Sequence, residues 1–318
     1  MSTEDSSFNK TPIIIALILG LLLVVGVLVG AKVVFDKAAL QPVAMATLDT
    51  PEAASEECAQ FVAALPDTVV GHRRVGIAPP VPPGAAAWKS SSVEQVTVRC
   101  GVQLPFQYTA LSTLDDVAGT SWLTVVDATP GSSMRTMYAV NRNKVIAVTT
   151  DAQGLGSYSP ADIAADLAPA IEILATSSPS PHPIPLSSLD SDPAAAQQCA
   201  DLFSDLPESI GTETRYTRVT DISLPDHMAA WRARDHEPIV LRCGVGFPEN
   251  YAAGARLHQV NELAWFEDTV LGNGTTAATW YPVGRDINIA VSMPQAIGNP
   301  ALVSLGEVIV THTRESQQ

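Results

Sequence analysis

The stretch QVTVRCGVQLPF, residues 95–106, reveals the domain organisation, because a closely similar segment, PIVLRCGVGFPE, occurs again at residues 238–249. The two phrases lie 143 positions apart, and the same offset aligns AAWKS (Ala86–Ser90) with AAWRA (Ala229–Ala233). Each copy exceeds 100 residues, which is long enough to bury a core of its own. The sequence therefore predicts two tandem copies of one domain, since solenoid repeats are much shorter.

Within the phrase, apolar and polar residues alternate as they do along a half-buried strand. One face of this predicted strand carries Val96, Val98, Cys100 and Val102, whereas the other carries Thr97, Arg99 and Gly101. The second copy keeps the alternation. Each cysteine is therefore predicted to point inward together with the aliphatic side chains.

The four cysteines are duplicated with the domain. Cys58 and Cys100 are 42 residues apart, and Cys199 and Cys243 are 44 residues apart. A metal site would show closer cysteine spacing or clustered histidines. We interpret each pair as one disulfide that joins a leading helix to a central strand, which places both domains outside the reducing cytosol. The alternative is four buried free thiols in a cytosolic protein.

The remainder of each copy predicts an α+β fold. Segments rich in β-branched residues begin at Ser121, Ser133 and Lys144, and turn residues separate them. Helical periodicity follows from Ser159 in the first copy and from Asn299 in the second. The predicted fold is a tandem duplicated domain, each copy with a leading helix, antiparallel strands and a closing helix, after an N-terminal transmembrane helix.

The N-terminus predicts a membrane anchor. Residues 12–31 carry no charge over twenty positions, which is long enough to cross a bilayer as a helix. A cleaved signal peptide is the alternative, although the stretch is longer than a usual signal core. Lys10 precedes the span, whereas Lys32 and Lys37 follow it, so the flanking charge disfavours a cytoplasmic N-terminus. The cysteines argue for the opposite orientation, with both domains outside the cell.

These signals divide the chain into seven predicted parts. Proline alternates with other residues between the two copies, which favours an extended, semi-rigid linker. The predicted parts are a tail (1–11), a transmembrane anchor (12–35), a spacer (36–50), the first repeat domain (51–177), a Pro/Ser-rich linker (178–193), the second repeat domain (194–312) and a tail (313–318).

Charge and motifs narrow the function. The formal net charge of −15 disfavours nucleic acid and other phosphate polymers as partners. The six histidines do not recur at equivalent positions of the repeat, and neither an HExxH nor a G-x-S-x-G motif occurs. We therefore predict no catalytic, cofactor-binding or metal-binding residue, and no cofactor.

Recurring aromatic and basic residues are candidates for interaction. Trp88 and Trp231 could stack on a ligand, although matched aromatic residues in duplicated domains are more often part of the core. Arg99 and Arg242 lie on the strand face opposite the cysteines, where a guanidinium could hold a ligand carboxylate. The alternative for these arginines is an internal salt bridge to a helix carboxylate.

The order of these motifs resembles a known family. The leading C…LP, the AAW before the strand, the LRCG phrase followed by proline and the downstream tryptophan resemble an actinobacterial domain of unknown function, found in membrane-anchored or secreted envelope proteins. This chain carries two copies where one is common, and VRCG replaces LRCG in the first. Such proteins are often encoded near cell-wall precursor and cofactor-biosynthesis genes, so the resemblance implies an envelope role, without implying catalytic residues.

Together these features predict a single-pass cell-membrane protein whose two extracytoplasmic domains form a binding module. Its expected partner is an envelope protein or a cell-wall component, and the sequence leaves the oligomeric state open. One alternative is an enzyme acting on cell-wall precursors, which would show a polar cleft with a raised carboxylate pKa. The other is a sensor whose interdomain cleft closes on a small ligand.

Overall fold

The computed structural model describes residues 11–39, 41–48, 50–129, 131–190, 192–252, 254–268 and 275–316. Residues 1–10 of the predicted N-terminal tail and residues 317–318 of the C-terminal tail lie outside the described part. The first helix, α1, spans Thr11–Ala39. Its segment Thr11–Val34 has a mean hydropathy of 3.2 and is 0% buried, so its length and composition suit a membrane span and its exposure excludes a core helix.

The first domain follows with an initial helix, a series of strands and a closing helix. Its described elements are the 3-10 helix Pro51–Ala54, α2 Glu56–Ala64, β1 Thr68–Val69, β2 His72–Val75, β3 Ala85–Lys89, β4 Gln95–Val102, β5 Asp115–Val117, β6 Thr120–Val126, β7 Arg135–Ala139, β8 Val145–Thr150, α3 Ala152–Leu155 and α4 Pro160–Ile171.

The second domain repeats this order, apart from the short helix α3. Its described elements are the 3-10 helix Pro193–Ala195, α5 Ala196–Ser204, β9 Ser209–Ile210, β10 Tyr216–Arg218, β11 Met228–Arg232, β12 Ile239–Cys243, β13 Leu257–Val260, β14 Leu263–Asp268, β15 Ala277–Pro282, β16 Ile289–Pro294 and α6 Gly298–His312.

The two sheets have the same topology. In the described residues the first sheet has the strand order β1-β2-β3-β4-β8-β7-β6-β5, and the second has β9-β10-β11-β12-β16-β15-β14-β13. All neighbouring strands are antiparallel, and the last strand of each domain lies beside its cysteine-bearing strand. The prediction of a tandem duplicated α+β domain is confirmed.

Each core lies between one face of the sheet and two helices. In the first domain, Phe61 of α2 and Leu167 of α4 pack against Val98 of β4, and all three are 0% exposed. In the second domain, Leu202 of α5 and Leu305 of α6 have the corresponding places. Neither of these cores includes a described residue of α1, so the part of the chain after the anchor supplies its own buried surface.

One disulfide cross-links each core, as the matched cysteines predicted. Cys58 of α2 bonds to Cys100 of β4, and Cys199 of α5 bonds to Cys243 of β12. The four residues are at most 1% exposed, so each bridge joins the leading helix to a central strand inside the core. Disulfides of this kind suggest an oxidising, extracytoplasmic location.

The segments predicted as spacers are packed on the domains instead. Val43 is 6% exposed and forms a parallel bridge with Ile77, so chain that was assigned to the first spacer already belongs to the first domain. In the Pro-rich linker, Leu186 is 8% exposed and packs with Ile184 and Leu189 against the second sheet. The prediction of an extended linker fails over residues 185–188, where the chain forms a turn with Leu186 at a positive φ. This turn places the apolar side chains of the linker on the open face of the sheet.

Candidate functional site

The matched tryptophans are core residues with a defined structural task. Trp88 and Trp231 are 0% exposed, so neither ring offers a free face and their proposed role as stacking platforms is wrong. The indole Nε1 of Trp88 donates to the carbonyl of Pro66 at 2.9 Å, and that of Trp231 donates to Pro207 at 2.6 Å. The AAW and LP motifs therefore contact each other through this hydrogen bond, which holds the end of the leading helix against the sheet.

The matched arginines hold the segment that precedes their own domain. Arg99 donates to the carbonyl of Ala46 at 2.6 Å, and Arg242 donates to the carbonyls of Leu186 and Ser187 at 2.7 Å each. Neither guanidinium pairs with a helix carboxylate among the described residues, which corrects that alternative. Arg242 is 8% exposed and committed to backbone carbonyls, whereas Arg99 is only partly buried and keeps donors in reach of solvent.

A different set of residues joins the two domains. Arg234, which follows β11, pairs with Asp115 of β5 at 2.5 Å. Backbone N–H of Val126 donates to the carbonyl of Asp235 at 3.1 Å, which attaches the β11–β12 turn to the end of β6. The first domain also places Leu111, 2% exposed, in an apolar cluster on the second sheet. Polar and apolar contacts thus both contribute to the junction.

Beside these contacts lies a cleft of about 350 Å³, which we call the junction cleft. Its walls come from the edge strands of the first sheet, the start of α4 and the β11–β12 turn of the second domain. The charged residues that line it are Asp115, Asp116, Arg135, Arg234 and Asp235. Its size falls within the range of small-ligand sites.

Arg135 is the unsatisfied charge of the junction cleft. Its Nε is buried without a hydrogen-bond partner, and its guanidinium has no ion pair among the described residues. Arg234, by contrast, is engaged with Asp115. The start of α4, at Ser159 and Pro160, lines the same cleft, but the Asp162 carboxylate already caps this end of the helix. Arg135 therefore makes this corner of the cleft suitable for an anionic group such as a carboxylate.

The opposite corner of the cleft is acidic. Burial raises the pKa of the Asp235 carboxyl above its ordinary value, and the negative charge of Asp115 adds to this effect, whereas the positive charges of Arg234 and Arg135 oppose it. Asp235 has one long ion-pair contact, at 4.0 Å from Arg234, and Asp116 is exposed and lines the same cleft. The cleft thus presents a cationic group from one domain and a half-buried, weakly paired carboxylate from the other.

His236 makes the stability of the junction depend on pH. Burial lowers its pKa from the ordinary 6.5, while Asp235 opposes the shift, so the unfolded chain takes up a proton that folded His236 resists. We expect the unfolding free energy to decrease as the pH falls below about 6.5, and this slope to be smaller in His236→Gln. Urea unfolding at pH 8, 7, 6 and 5 measures this pH dependence in both proteins. Parallel curves for both proteins between pH 7 and pH 5 would contradict the prediction, and the range from pH 8 to pH 7 is the internal control.

Sequence reasoning missed the junction cleft because it looked for residues that recur. At the offset of 143, Arg135 corresponds to Ala278, and the turn segment RDHE (234–237) corresponds to SSVE (91–94). The charges of Arg135, Arg234 and Asp235 are therefore missing from the equivalent positions of the other copy. A comparison of the copies for differences, rather than for shared residues, would have pointed to these positions.

Comparison with protein families gives two matches along the chain. Residues 17–174 and residues 167–318 each match one family, described as "Protein of unknown function (DUF3515)". The chain belongs to this family. Comparison with curated proteins and with solved structures found no match. Each DUF3515 match covers one of the two sheets, and the first match also covers most of α1. This member therefore carries the eight-stranded domain of the family twice.

Proposed function

We propose that this DUF3515 protein is a membrane-anchored, extracytoplasmic binding module of the cell envelope, and that its ligand site is the junction cleft. The ligand carries both a carboxylate and an ammonium group, as a free amino acid or a short peptide does. An envelope protein with an exposed chain terminus or a cell-wall component with a peptide part would supply such a group.

One observation carries this proposal: Arg135 and Asp235 line one cleft without forming an ion pair with each other. Arg135 has no ion pair among the described residues, whereas Asp235 has only a long contact with Arg234, at 4.0 Å, and burial raises its pKa in spite of the positive charges of Arg234 and Arg135. Charges that are partly desolvated and left without full compensation cost stability, so a bound zwitterion would stabilise both. Because the two groups belong to different domains, a ligand between them would also hold the domains together.

The setting of the cleft supports an envelope role. The helix α1 is apolar enough to anchor the chain, and the two disulfides favour an oxidising compartment. The net charge of −15 adds to this by disfavouring anionic polymers as partners.

In-cell photocrosslinking tests the proposal, and the duplication provides a matched control. Asp116 and Gln259 are exposed and occupy equivalent places, since Asp115 pairs with Trp122 in the first sheet as His258 pairs with Trp265 in the second. A photoreactive amino acid at position 116 lies at the mouth of the junction cleft, whereas one at position 259 lies in the other domain. We expect a specific adduct at position 116 and none at position 259.

A further substitution assigns the adduct to the cleft. Arg135→Gln removes the charge and keeps a shorter polar side chain, so the adduct at position 116 is expected to decrease about tenfold, the effect of losing one charge-assisted hydrogen bond. Equal adducts at positions 116 and 259, or an adduct at position 116 that is insensitive to Arg135→Gln, would overturn the proposal. Mass spectrometry of the adduct identifies the ligand class.

Catalysis is a second candidate because of Asp235. A half-buried carboxyl whose pKa is raised could donate a proton to a ligand held by Arg135. In the same crosslinking experiment, Asp235→Asn separates the two functions. A pure binding module would yield an adduct of the same mass but in a smaller amount in the variant, because the ammonium group of the ligand loses its carboxylate partner. An enzyme would instead yield product in the parent protein and accumulated intact substrate in the variant.

A further inference from the structure

A second cavity, distinct from the junction cleft, lies beneath the linker between the domains. It has a volume of about 300 Å³ and is enclosed between the linker and strands β15 and β16 of the second sheet. Apolar side chains of the linker form its roof, and two hydroxyl groups of the sheet form part of its floor. Its principal lining residues are Phe106, His182, Ile184, Leu186, Thr279 and Ser292.

The two hydroxyl groups of the floor have no hydrogen-bond partner among the described residues and are accessible from the cavity. Thr279 is 4% exposed and Ser292 is 5% exposed, and they lie directly opposite each other on neighbouring strands. Neither side-chain oxygen belongs to the fully buried, unpaired polar atoms of the described residues, and both residues line the cavity. A ligand whose polar group bonds to these hydroxyls in a largely apolar cavity would therefore gain affinity and stabilise the domain.

The first domain shows that this arrangement is specific to the second. Thr136 and Thr149 occupy the equivalent positions and the same cross-strand pairing, but their Oγ1 atoms are 3.0 Å apart and hydrogen-bond to each other. The first copy thus satisfies its hydroxyl pair internally. In the second copy the pair faces a cavity instead, although the strands and their register are the same.

The roof of the cavity is held in place by the chain itself. The guanidinium of Arg242 donates to the carbonyls of Leu186 and Ser187, so the linker is tied to the sheet beside the cavity. At its mouth, the rings of Phe106 and His182 lie 4.9 Å apart, and half of the Phe106 side chain is exposed. The lining includes no lysine, arginine, aspartate or glutamate among the described residues.

We propose that this cavity, which we call the linker pocket, binds a small, uncharged and mostly apolar molecule that carries one hydrogen-bonding group. The apolar roof favours a ring or short aliphatic body, and the paired hydroxyls of Thr279 and Ser292 receive its polar group. Charged molecules are disfavoured, because no side chain of opposite charge compensates for their desolvation. The linker pocket is independent of the junction cleft and of the function proposed for it.

The test uses residues 41–318 with labelled isoleucine and leucine methyl groups and benzyl alcohol as the probe. We expect saturable chemical-shift changes at Ile184, Leu186 and Leu189, whose side chains line the pocket. Sodium benzoate, which has the same ring with a negative charge, is expected to leave these signals unchanged. Ala277→Phe fills the pocket and is expected to abolish the benzyl alcohol response.

Two double variants isolate the hydroxyl pair. Thr279→Val with Ser292→Ala is expected to weaken benzyl alcohol binding about tenfold, the effect of one or two lost hydrogen bonds. Toluene, which cannot form these bonds, should bind the parent protein and the variant equally, and this also shows that the variant pocket is intact. The matched change in the first domain, Thr136→Val with Thr149→Val, should leave the affinity for both probes unchanged.

Three results would overturn the proposal. The first is a lack of saturable shifts at the linker methyl groups, and the second is a response to benzyl alcohol that survives Ala277→Phe. The third is an equal loss of affinity for benzyl alcohol and toluene in Thr279→Val with Ser292→Ala, because that would make the hydroxyls structural rather than ligand-binding.

Discussion

Replacing Cys58 and Cys100 with alanine is expected to lower the unfolding free energy of the first domain by about 4 kcal/mol. The disulfide closes a loop of 42 residues, and its loss restores the conformational freedom of that loop to the unfolded chain. Because single domains are stable by only about 5–15 kcal/mol, this change removes a large part of the total. The variant domain should be open to proteases and to alkylating reagents at room temperature.

The duplication makes this prediction selective. Hydrogen exchange at increasing denaturant concentration measures the stability of each sheet separately. In the Cys58/Cys100 variant, peptides from β4 and β8 should lose protection, whereas peptides from β12 and β16 should keep most of theirs. The Cys199/Cys243 variant is the matched control, with the opposite pattern and a similar loss from its loop of 44 residues. Simultaneous unfolding of both sheets in either variant would contradict the assignment of one independent core to each domain.

Much of the fold could be predicted from local sequence patterns, such as helix caps and the alternation of apolar residues along strands. The helix α4 begins after Ser159, whose side chain accepts from the N–H of Asp162 while the Asp162 side chain accepts from the N–H of Ser159, and Pro160 occupies the first turn. Cys100 points into the core because the strand alternates from Val96 to Cys100. Such patterns depend on neighbouring residues and are therefore visible without the structure. The predicted place of Val102 on the same buried face is wrong, because the register with β8 shifts after Cys100 and Val102 is only partly buried.

The packing of the linker was harder to predict because it depends on surfaces far away in sequence. Alternating proline predicted an extended segment, but the backbone forms a turn at residues 185–188. Nothing local indicates that Leu186 is buried, because the surface that covers it consists of residues such as Met228, Val240 and Tyr281. The donors that hold the linker come from Arg242, on a strand that begins more than 50 residues later.

The motifs that identify the family are structural, and the candidate sites lie elsewhere. The tryptophan of each AAW motif donates a hydrogen bond to the proline carbonyl of the LP motif, and the cysteines form one disulfide in each domain. The junction cleft and the linker pocket instead use positions at which the copies differ, such as Arg135 against Ala278. Recurrence within the chain therefore marks the fold, whereas divergence between the copies marks the places where a ligand would act.

The glycine after each cysteine is expected to show the same asymmetry in its response to mutation. Gly101 and Gly244 both have a positive φ, +74° and +75°, where a side chain is strained. A Cβ at Gly101 would lie 2.5 Å from the backbone carbon of Glu52 and 2.6 Å from the backbone nitrogen of Ala53, whereas the nearest atom to a Cβ at Gly244 would be the Cβ of Ala195, at 3.0 Å. Gly101→Ala must therefore displace backbone substantially, whereas Gly244→Ala requires a shift of only a few tenths of an ångström.

We expect Gly101→Ala to cost about 2–4 kcal/mol of unfolding free energy, from the strained φ and the displaced backbone together, and Gly244→Ala about 1–2 kcal/mol. Gly119→Ala is the control for the φ effect alone, because Gly119 has a φ of +70° and an added Cβ would have nothing within 4 Å. Urea unfolding of the three variants should rank Gly101 above Gly244 and Gly244 above Gly119. Equal losses at Gly101 and Gly244 would mean that the 3-10 helix at Pro51–Ala54 moves away freely, and the close packing of the leading segment on the first sheet would then contribute little to stability.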